Sequence, residues 1–551
     1  MKKIFLKVTC CIVSMLMLCS ITACGKKDDI QNGQVYDPNK AQLYISNFNG
    51  GVGTEWLYKV ISRFTETYKD HHFTEGTTGV QVTVETHKNN GTATASKMQS
   101  ERNEIYFLPY CNYYDMMSNG LLYEITDIVT EKMTRFGEDK SIEEKMTNEM
   151  RNYFKTKNGK YYAIPHYQTM SVITYDMDLF DEKNLFMSEE GNFDKKSSDN
   201  GLSKGVDGKS GTYDDGLPAT YEEFYRLCET MKKRGVDPMI WSGMYGFYTT
   251  ELLAALKADF EGSETQAFYS FNNTFTKLID GEIGTDGSFK YKTPINITEE
   301  NGYELYNSAG IYYSLSFLEN IMKNGYYATA SLNEGTSHTG AQATFLLSRY
   351  NAASSPIGML IEGTYWPHES SATFQQMASR YNNTSLNERR LAIMPYPKAT
   401  KAQIGEKTTI LSGGDTIACI NSTIKEEKVE LAKLFLQYCE TQESLVEFVK
   451  ATNMSRSYVF DMPERDYETL NTFARSYVDL VSDSNIYPNV SNSEFFYKNY
   501  SSFTMLTPFI TKYGEYPVNA LKNNQHTALE LFNAIRNKYT QYTWQVLRGN
   551  N

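Results

Sequence analysis

The stretch from residue 41 to residue 86 constrains the fold more than any other. Leu43 and Ile45 alternate with polar or amphipathic neighbours over residues 42–46, the period of a short strand. Asn47-Phe48-Asn49-Gly50-Gly51-Val52-Gly53 then turns the chain, and Thr54 stands where a helix N-cap belongs. Leu57, Val60, Ile61, Phe64 and Tyr68 fall on one helical stripe, after which Val80, Val82 and Val84 alternate again. Strand, helix and strand with a glycine-rich first turn predict a βαβ unit, whose ligands approach at the carboxyl end of the sheet. The turn is not a dinucleotide fingerprint, because Trp56 stands where a third glycine is required. Its glycines are expected to let a ligand come close to the backbone.

The alternation continues along the chain. Residues 104–108 read as a buried strand ending in Pro109-Tyr110-Cys111-Asn112-Tyr113-Tyr114, an aromatic loop. Asn158-Gly159-Lys160 turns into Tyr161-Tyr162-Ala163-Ile164-Pro165-His166-Tyr167, and residues 172–175 form an apolar strand. Residues 188–216 shift to Gly, Asp, Ser and Lys, a surface insertion. Thr220 with Glu223, and Thr423 with Glu426, have the spacing of capping boxes. Trp241-Ser242-Gly243-Met244-Tyr245-Gly246 is dense in aromatics and glycine. A strand over 357–361 leads to Glu362-Gly363-Thr364-Tyr365-Trp366-Pro367, and another lies at 391–395. Ser412-Gly413-Gly414-Asp415 precedes a strand over 416–420, and the remainder reads as mostly helical. Trp56 and Trp544 sit in helical patterns and belong to the core. Strands alternating with helices, without an internal repeat, give an α/β protein. With 551 residues the chain is too long for one core and long enough for two large lobes.

The N-terminus makes the body extracytoplasmic. Lys2, Lys3 and Lys7 precede an uncharged apolar run over 8–21, too short to span a bilayer and typical of a secretory leader. Ile21-Thr22-Ala23-Cys24 ends it and resembles the bacterial lipobox, whose cysteine is lipidated and becomes the new N-terminus. Residues 1–23 are thus a signal peptide, Cys24 a lipid attachment site and residues 24–40 a polar tether. Several acyl chains on Cys24 would hold the protein at a membrane, each buried CH₂ contributing about 0.8 kcal/mol. The net charge of −12 includes three leader lysines, so the mature surface is more acidic still, which argues against a nucleic-acid partner. Cys111, Cys228, Cys419 and Cys439 show no CxxC or zinc spacing and read as small buried hydrophobes.

Enzyme signatures fail on inspection. Gly208-Lys209-Ser210 ends like a P-loop, but Ser203 occupies the position of the required first glycine. No HExxH or GxSxG occurs, and no histidine spacing suits a metal. No cofactor is required. Asp207, Asp214 and Asp215 lie in a Gly-punctuated, oxygen-rich loop and are candidate ligands of a structural calcium ion, although the spacing is not that of an EF-hand.

The order of these landmarks resembles the extracellular solute-binding proteins of sugar ABC importers, the family that includes maltose-binding protein. The matching signals are the lipobox and tether, the Asn/Gly end of the first strand and the aromatic loop. They continue with a Tyr-x-x-Pro strand, an apolar strand ending in Glu-Gly-x-Tyr-Trp, and a Gly-Gly strand before a helix with Ala-Lys-x-Phe-Leu. The resemblance implies a type II periplasmic-binding-protein-like fold, two discontinuous α/β lobes with a hinge and a central cleft. It places lobe 1 at 41–165 plus 398–445 and lobe 2 at 166–397 plus 446–551. Asn49, Tyr110, Tyr167, Trp241, Tyr245, Glu362, Tyr365, Trp366 and Asp415 then fall on loops around the cleft. Trp241, Tyr245, Tyr365 and Trp366 would stack on pyranose faces, while Asn49, Glu362 and Asp415 take hydroxyls. The implied protein is a monomeric, lipid-anchored receptor on a Gram-positive cell surface that hands an oligosaccharide to ABC permease subunits. A peptide or another solute as ligand, and a secreted glycan-active enzyme, are the alternatives.

Overall fold

The computed structural model describes residues 30, 31, 34–89, 91–271, 273–499, 507–509 and 516–549. Cys24 and the leader lie outside the described residues. Eleven strands carry the architecture: β1 (Ala41–Phe48), β2 (Val80–His87), β3 (Ile105–Leu108), β4 (Ala163–Pro165), β5 (Ser171–Asp176), β6 (Asp237–Ile240), β7 (Ile357–Gly363), β8 (Leu391–Met394), β9 (Thr409–Leu411), β10 (Ile417–Ile420) and β11 (Asn485–Tyr487).

Lobe 1 is built on a five-stranded sheet in the order β2-β1-β3-β10-β4. β1 runs parallel to β2 and β3, while β10 runs antiparallel to β3 and β4. Its first βαβ unit forms as the hydrophobic period requires. Leu43, Ile45, Val80, Val82 and Val84 are buried, and the helix Glu55–Thr67 turns Trp56, Leu57, Val60 and Phe64 inward. Thr54 occupies the N-cap position without capping through its side chain. Its hydroxyl instead donates to Asn49 Oδ1 (3.0 Å) and accepts from Asn47 Nδ2 (3.2 Å), which closes the glycine turn on itself.

Lobe 2 has a four-stranded sheet, β6-β7-β5-β8, in which β6 and β7 are parallel and β5 is antiparallel to β7 and β8. Every residue of β5, β7 and β8 is buried, because helices cover both faces. One face packs Ile173, Tyr175, Met359 and Ile361 against a core that includes Phe224, Leu253 and Leu315. On the other, Val172, Leu360 and Ile393 join Phe345, Trp366 and Phe473.

Three chain crossings run side by side between the lobes. The His166 amide donates to Thr416 O (3.0 Å) and the Gln168 amide to Ser455 O (3.0 Å). Two crossings fall later than the sequence suggests. Residues 398–411 stay with lobe 2: the Lys398 ammonium is buried against Asp259 (2.8 Å), and β9 pairs with β11. The chain therefore passes to lobe 1 at about 412–416. The helix Gln442–Thr452 packs on Glu55–Thr67, so lobe 1 continues past 445 and the third crossing lies at about 453–458. Helix length explains the shift, since leaving at 445 would break a continuous apolar stripe of Leu445, Phe448 and Val449.

Other local expectations also change. Thr220 caps Tyr221–Lys233 by accepting from the Glu223 amide (3.3 Å), but the Glu223 carboxylate reaches the Ala219 amide instead of that of Thr220. The helix expected at Thr423 starts at Glu426, because Asn421 Oδ1 holds the Thr423 amide in the preceding turn. In the 207–215 loop, Asp214 is fully buried and accepts from the Val206 and Asp207 amides and the Thr212 hydroxyl (2.6, 3.0 and 2.9 Å). Asp215 accepts from the Gly211 amide (2.7 Å) and Asp207 from the Lys209 amide (2.7 Å). All three carboxylates accept hydrogen bonds from backbone amides within the loop. Among the described residues no group of three or more His, Cys, Asp or Glu could hold a metal ion, and no helix is long and apolar enough to cross a membrane. Cys111, Cys228, Cys419 and Cys439 are buried free thiols.

Candidate functional site

A cavity of about 200 Å³ lies between the lobes. Lobe 1 contributes Tyr110, from the loop after β3, and Asp415, just before β10. Lobe 2 contributes Glu251 from the helix Phe247–Glu261, Gly363 at the end of β7, and Tyr365. Ser171 and Tyr396 line it near the crossings, and the Tyr396 hydroxyl donates to the Ser171 carbonyl. Tyr110 and Tyr365 stand on the same cavity wall, one from each lobe. Tyr110 keeps 45% of its surface exposed and sits at φ 53°, a left-handed conformation that is an outlier for a bulky residue. Such strain persists where the surroundings hold it and is concentrated at ligand sites.

The glycine turn does something other than expected. A Cβ on Gly51 would lie 3.4 Å from Tyr365 Cβ, and one on Gly53 would lie 2.2 Å from His368 Cε1. The backbone of lobe 1 is bare there so that side chains of lobe 2 can seat against it. The glycines serve contact between the lobes.

Of the sequence candidates, the structure brings Tyr110, Tyr365 and Asp415 onto the cavity wall and leaves six off it. Trp241 and Trp366 have no accessible surface. Trp366 Nε1–H donates to Thr174 Oγ1 (3.0 Å), and its ring packs on Phe345, Phe374 and Phe473; Trp241 packs on Tyr327. Rings enclosed on both faces cannot stack on a sugar, so both tryptophans are reassigned to the lobe 2 core. Tyr167 is likewise buried behind the wall, its amide donating to Thr416 Oγ1 (3.1 Å). Glu362 lies one layer back, accepting from Gln342 Nε2 (3.0 Å) and the Gly363 amide (2.8 Å). Asn49 is spent on its own turn, and Tyr245 is a surface ring beside Phe247 and His338.

Glu251 is the wall residue the sequence reading missed. Burial, with the Asp415 carboxylate second, raises its carboxyl to about 8. Burial also raises Asp415, against a hydrogen bond from Asn489, and among the described residues Asp415 Oδ1 has no hydrogen-bond partner. A signal did exist. Glu251, Lys257, Asp259 and Glu261 interrupt an otherwise apolar helix; Lys257 pairs with Glu261 (2.8 Å) and Asp259 with Lys398, which leaves Glu251 over.

A family model described as bacterial extracellular solute-binding protein matches residues 50–328, just over half of the chain. The chain belongs to this family. No curated protein matches this solute-binding protein by sequence. Its fold is shared with solved structures of low identity. The mannobiose complex of BlMnBP1, a binding protein of an ABC transporter from Bifidobacterium animalis subsp. lactis, superposes with a TM-score of 0.55 at 14% identity over 93% of this chain and 95% of that one. A chitin oligosaccharide binding protein gives 0.53 at 15% identity over 91% and 98%. The solute-binding protein RafE, in complex with raffinose, gives 0.52 at 12% identity over 90% and 98%.

The Glu251 shift makes a stability prediction for this solute-binding protein. A carboxyl whose folded pKa lies above its unfolded value binds more protons in the folded state between the two, so stability is full below about 4.5 and is lost as pH rises through about 8. The melting temperature of the unliganded protein should therefore fall from pH 5 to pH 8. Glu251→Gln should flatten that slope in thermal melts, and an unchanged slope would assign it elsewhere.

Proposed function

We propose that this protein captures a carbohydrate, an oligosaccharide, in the cleft between its lobes and delivers it to the permease of an ABC importer, held at the outer membrane face by acyl chains on Cys24. It acts as a monomer and does no chemistry on the ligand. The observation that carries this reading is the wall itself. Tyrosines from both lobes and two carboxylates converge on one cavity, supplying flat apolar faces for the sugar ring and acceptors for its hydroxyl rim. Lobe closure would then present a surface to the permease only when ligand is bound, a population shift driven by ligand contacts made in the closed form. Of the three solved structures of this fold named above, two hold mannobiose and raffinose and the third is a chitin oligosaccharide binding protein, which supports carbohydrate as the ligand class.

The test is calorimetric titration of the mature chain, expressed without its leader, against a panel of oligosaccharides. Tyr365→Ala and Tyr110→Ala should each weaken binding by about tenfold or more while leaving the melting temperature near that of the parent. Two carboxyl groups on one cavity are also what a glycosidase uses, so the same samples are assayed for new reducing ends. None are expected. Absence of binding to any glycan by the folded protein would overturn the proposal.

A further inference from the structure

The chemistry of the wall narrows the ligand further. Asp415 and Glu251 reach the cavity from opposite lobes, and among the described residues no Lys, Arg or His stands on the wall with them. Asp415 is more than nine-tenths buried with Oδ1 unpartnered. Among the described residues no hydrogen bond or ion pair satisfies Glu251, although the other buried charges of its helix are all paired. The surroundings add negative charge. Glu362 and Glu369 lie behind the wall, both accepting from the one Gln342 amide nitrogen (3.0 Å each). His338 lies 3.9 Å from Glu369 and His368 also feels the Glu369 charge, while the wall tyrosines Tyr110, Tyr365 and Tyr396 offer hydroxyls but no charge.

A neutral sugar leaves this arrangement uncompensated. Two carboxylates on the wall of one cavity, where burial weakens solvent screening, repel each other, and the cheapest relief is for one to hold a proton. An ammonium group placed between them provides the same relief and adds charge-assisted hydrogen bonds, and the tyrosine faces favour a cation in the same place. We infer that the cleft selects a ligand bearing a positively charged amine, and that within the saccharide reading, on which this rests, the ligand is an amino sugar with a free amine. Binding at neutral pH then exchanges one positive charge for another: the ammonium enters and the proton carried by Glu251 leaves to solvent, where the buffer takes it up. Glu362 and Glu369 share the field, and the Asp415 charge adds to burial in raising the Glu251 carboxyl.

The deciding experiment compares glucosamine trisaccharide, its fully N-acetylated counterpart and spermidine by calorimetry at pH 7, in two buffers of different ionisation enthalpy. The free-amine trisaccharide should bind at least about 30-fold more tightly than the acetylated one, with about one proton released per ligand. Glu251→Gln, close in shape to the protonated acid and thus expected to fold, should abolish both the preference and the proton release. Asp415→Asn should reduce the preference in the same direction. Equal or tighter binding of the acetylated trisaccharide overturns the amine inference and leaves the saccharide reading standing. Binding of spermidine alone, lost in Glu251→Gln, supports the amine and overturns the saccharide. Binding of none of the three, nor of any glycan in the wider panel, overturns both.

Discussion

Truncating Trp366 to alanine is expected to cost lobe 2 about 3–5 kcal/mol, the range for removing a buried tryptophan from a well-packed core. Every face of the indole is occupied. Phe345, Phe374 and Phe473 lie with ring centroids 6.0 to 6.1 Å away, and Nε1–H is bonded to Thr174 on the central strand β5. The deletion would therefore open a cavity between the sheet and the helices Ser371–Ala378 and Thr472–Ser482, while orphaning the Thr174 hydroxyl in a place water cannot reach. Denaturant titration should show the midpoint falling with little change in slope. Trp366→Phe retains most of the volume and gives up the hydrogen bond, so its loss should be nearer 1 kcal/mol. Ligand affinity measured well below the melting range should be nearly unchanged in both variants. A protein that stays as stable as the parent but no longer binds ligand would instead put Trp366 on the cleft.

That contrast shows where the sequence is readable. Periodicity reports which residues are buried, and it placed β1, its helix and β2 because Leu43, Ile45 and the valines obey the strand period while Val60 and Phe64 obey the helical one. It does not report what a buried aromatic is buried against. Trp366 and Tyr365 are adjacent in the chain, yet one points into the sheet–helix layer and the other at the opposing lobe. Which of the two meets the cleft depends on the short helix Trp366–Glu369 that follows β7, a turn of four residues with no period to read. Tyr110 and Asp415 were legible for the converse reason. Both follow or precede strands at the carboxyl edge of lobe 1, where topology alone directs a loop toward the ligand. Glu251 was hidden because its helix is apolar nearly all round, and unpaired charge becomes visible only once Lys257 and Asp259 have found Glu261 and Lys398. The late crossings have a similar cause: Lys398 pairs with a residue 139 positions away, and no local pattern encodes that.

The glycine turn gives the second large effect. Gly53→Ala should lower ligand affinity by about 100-fold. The new methyl would stand 2.2 Å from His368 Cε1 and 2.4 Å from Nε2, inside any permitted contact, so the lobes could meet only if the imidazole moved. Overpacking of this kind costs about 1–3 kcal/mol, and each 1.4 kcal/mol is tenfold in a binding constant. Because the clash exists only where the lobes touch, it falls on the closed form and is read as lost affinity. Gly53 also lies at φ 65°, where an alanine is strained by about 1–2 kcal/mol whether the jaws are open or shut. That part should appear as lower thermal stability without ligand. The two contributions separate in a double-mutant cycle. His368→Ala removes the ring that the methyl strikes, so in that background Gly53→Ala should regain most of the affinity while keeping its stability defect. Small-angle scattering at saturating ligand supplies the geometric check, with Gly53→Ala retaining the larger radius of gyration of the open form. Equal affinities for the parent and Gly53→Ala would mean that this contact is dispensable for ligand capture, and that the glycines answer only to the backbone geometry of their turn.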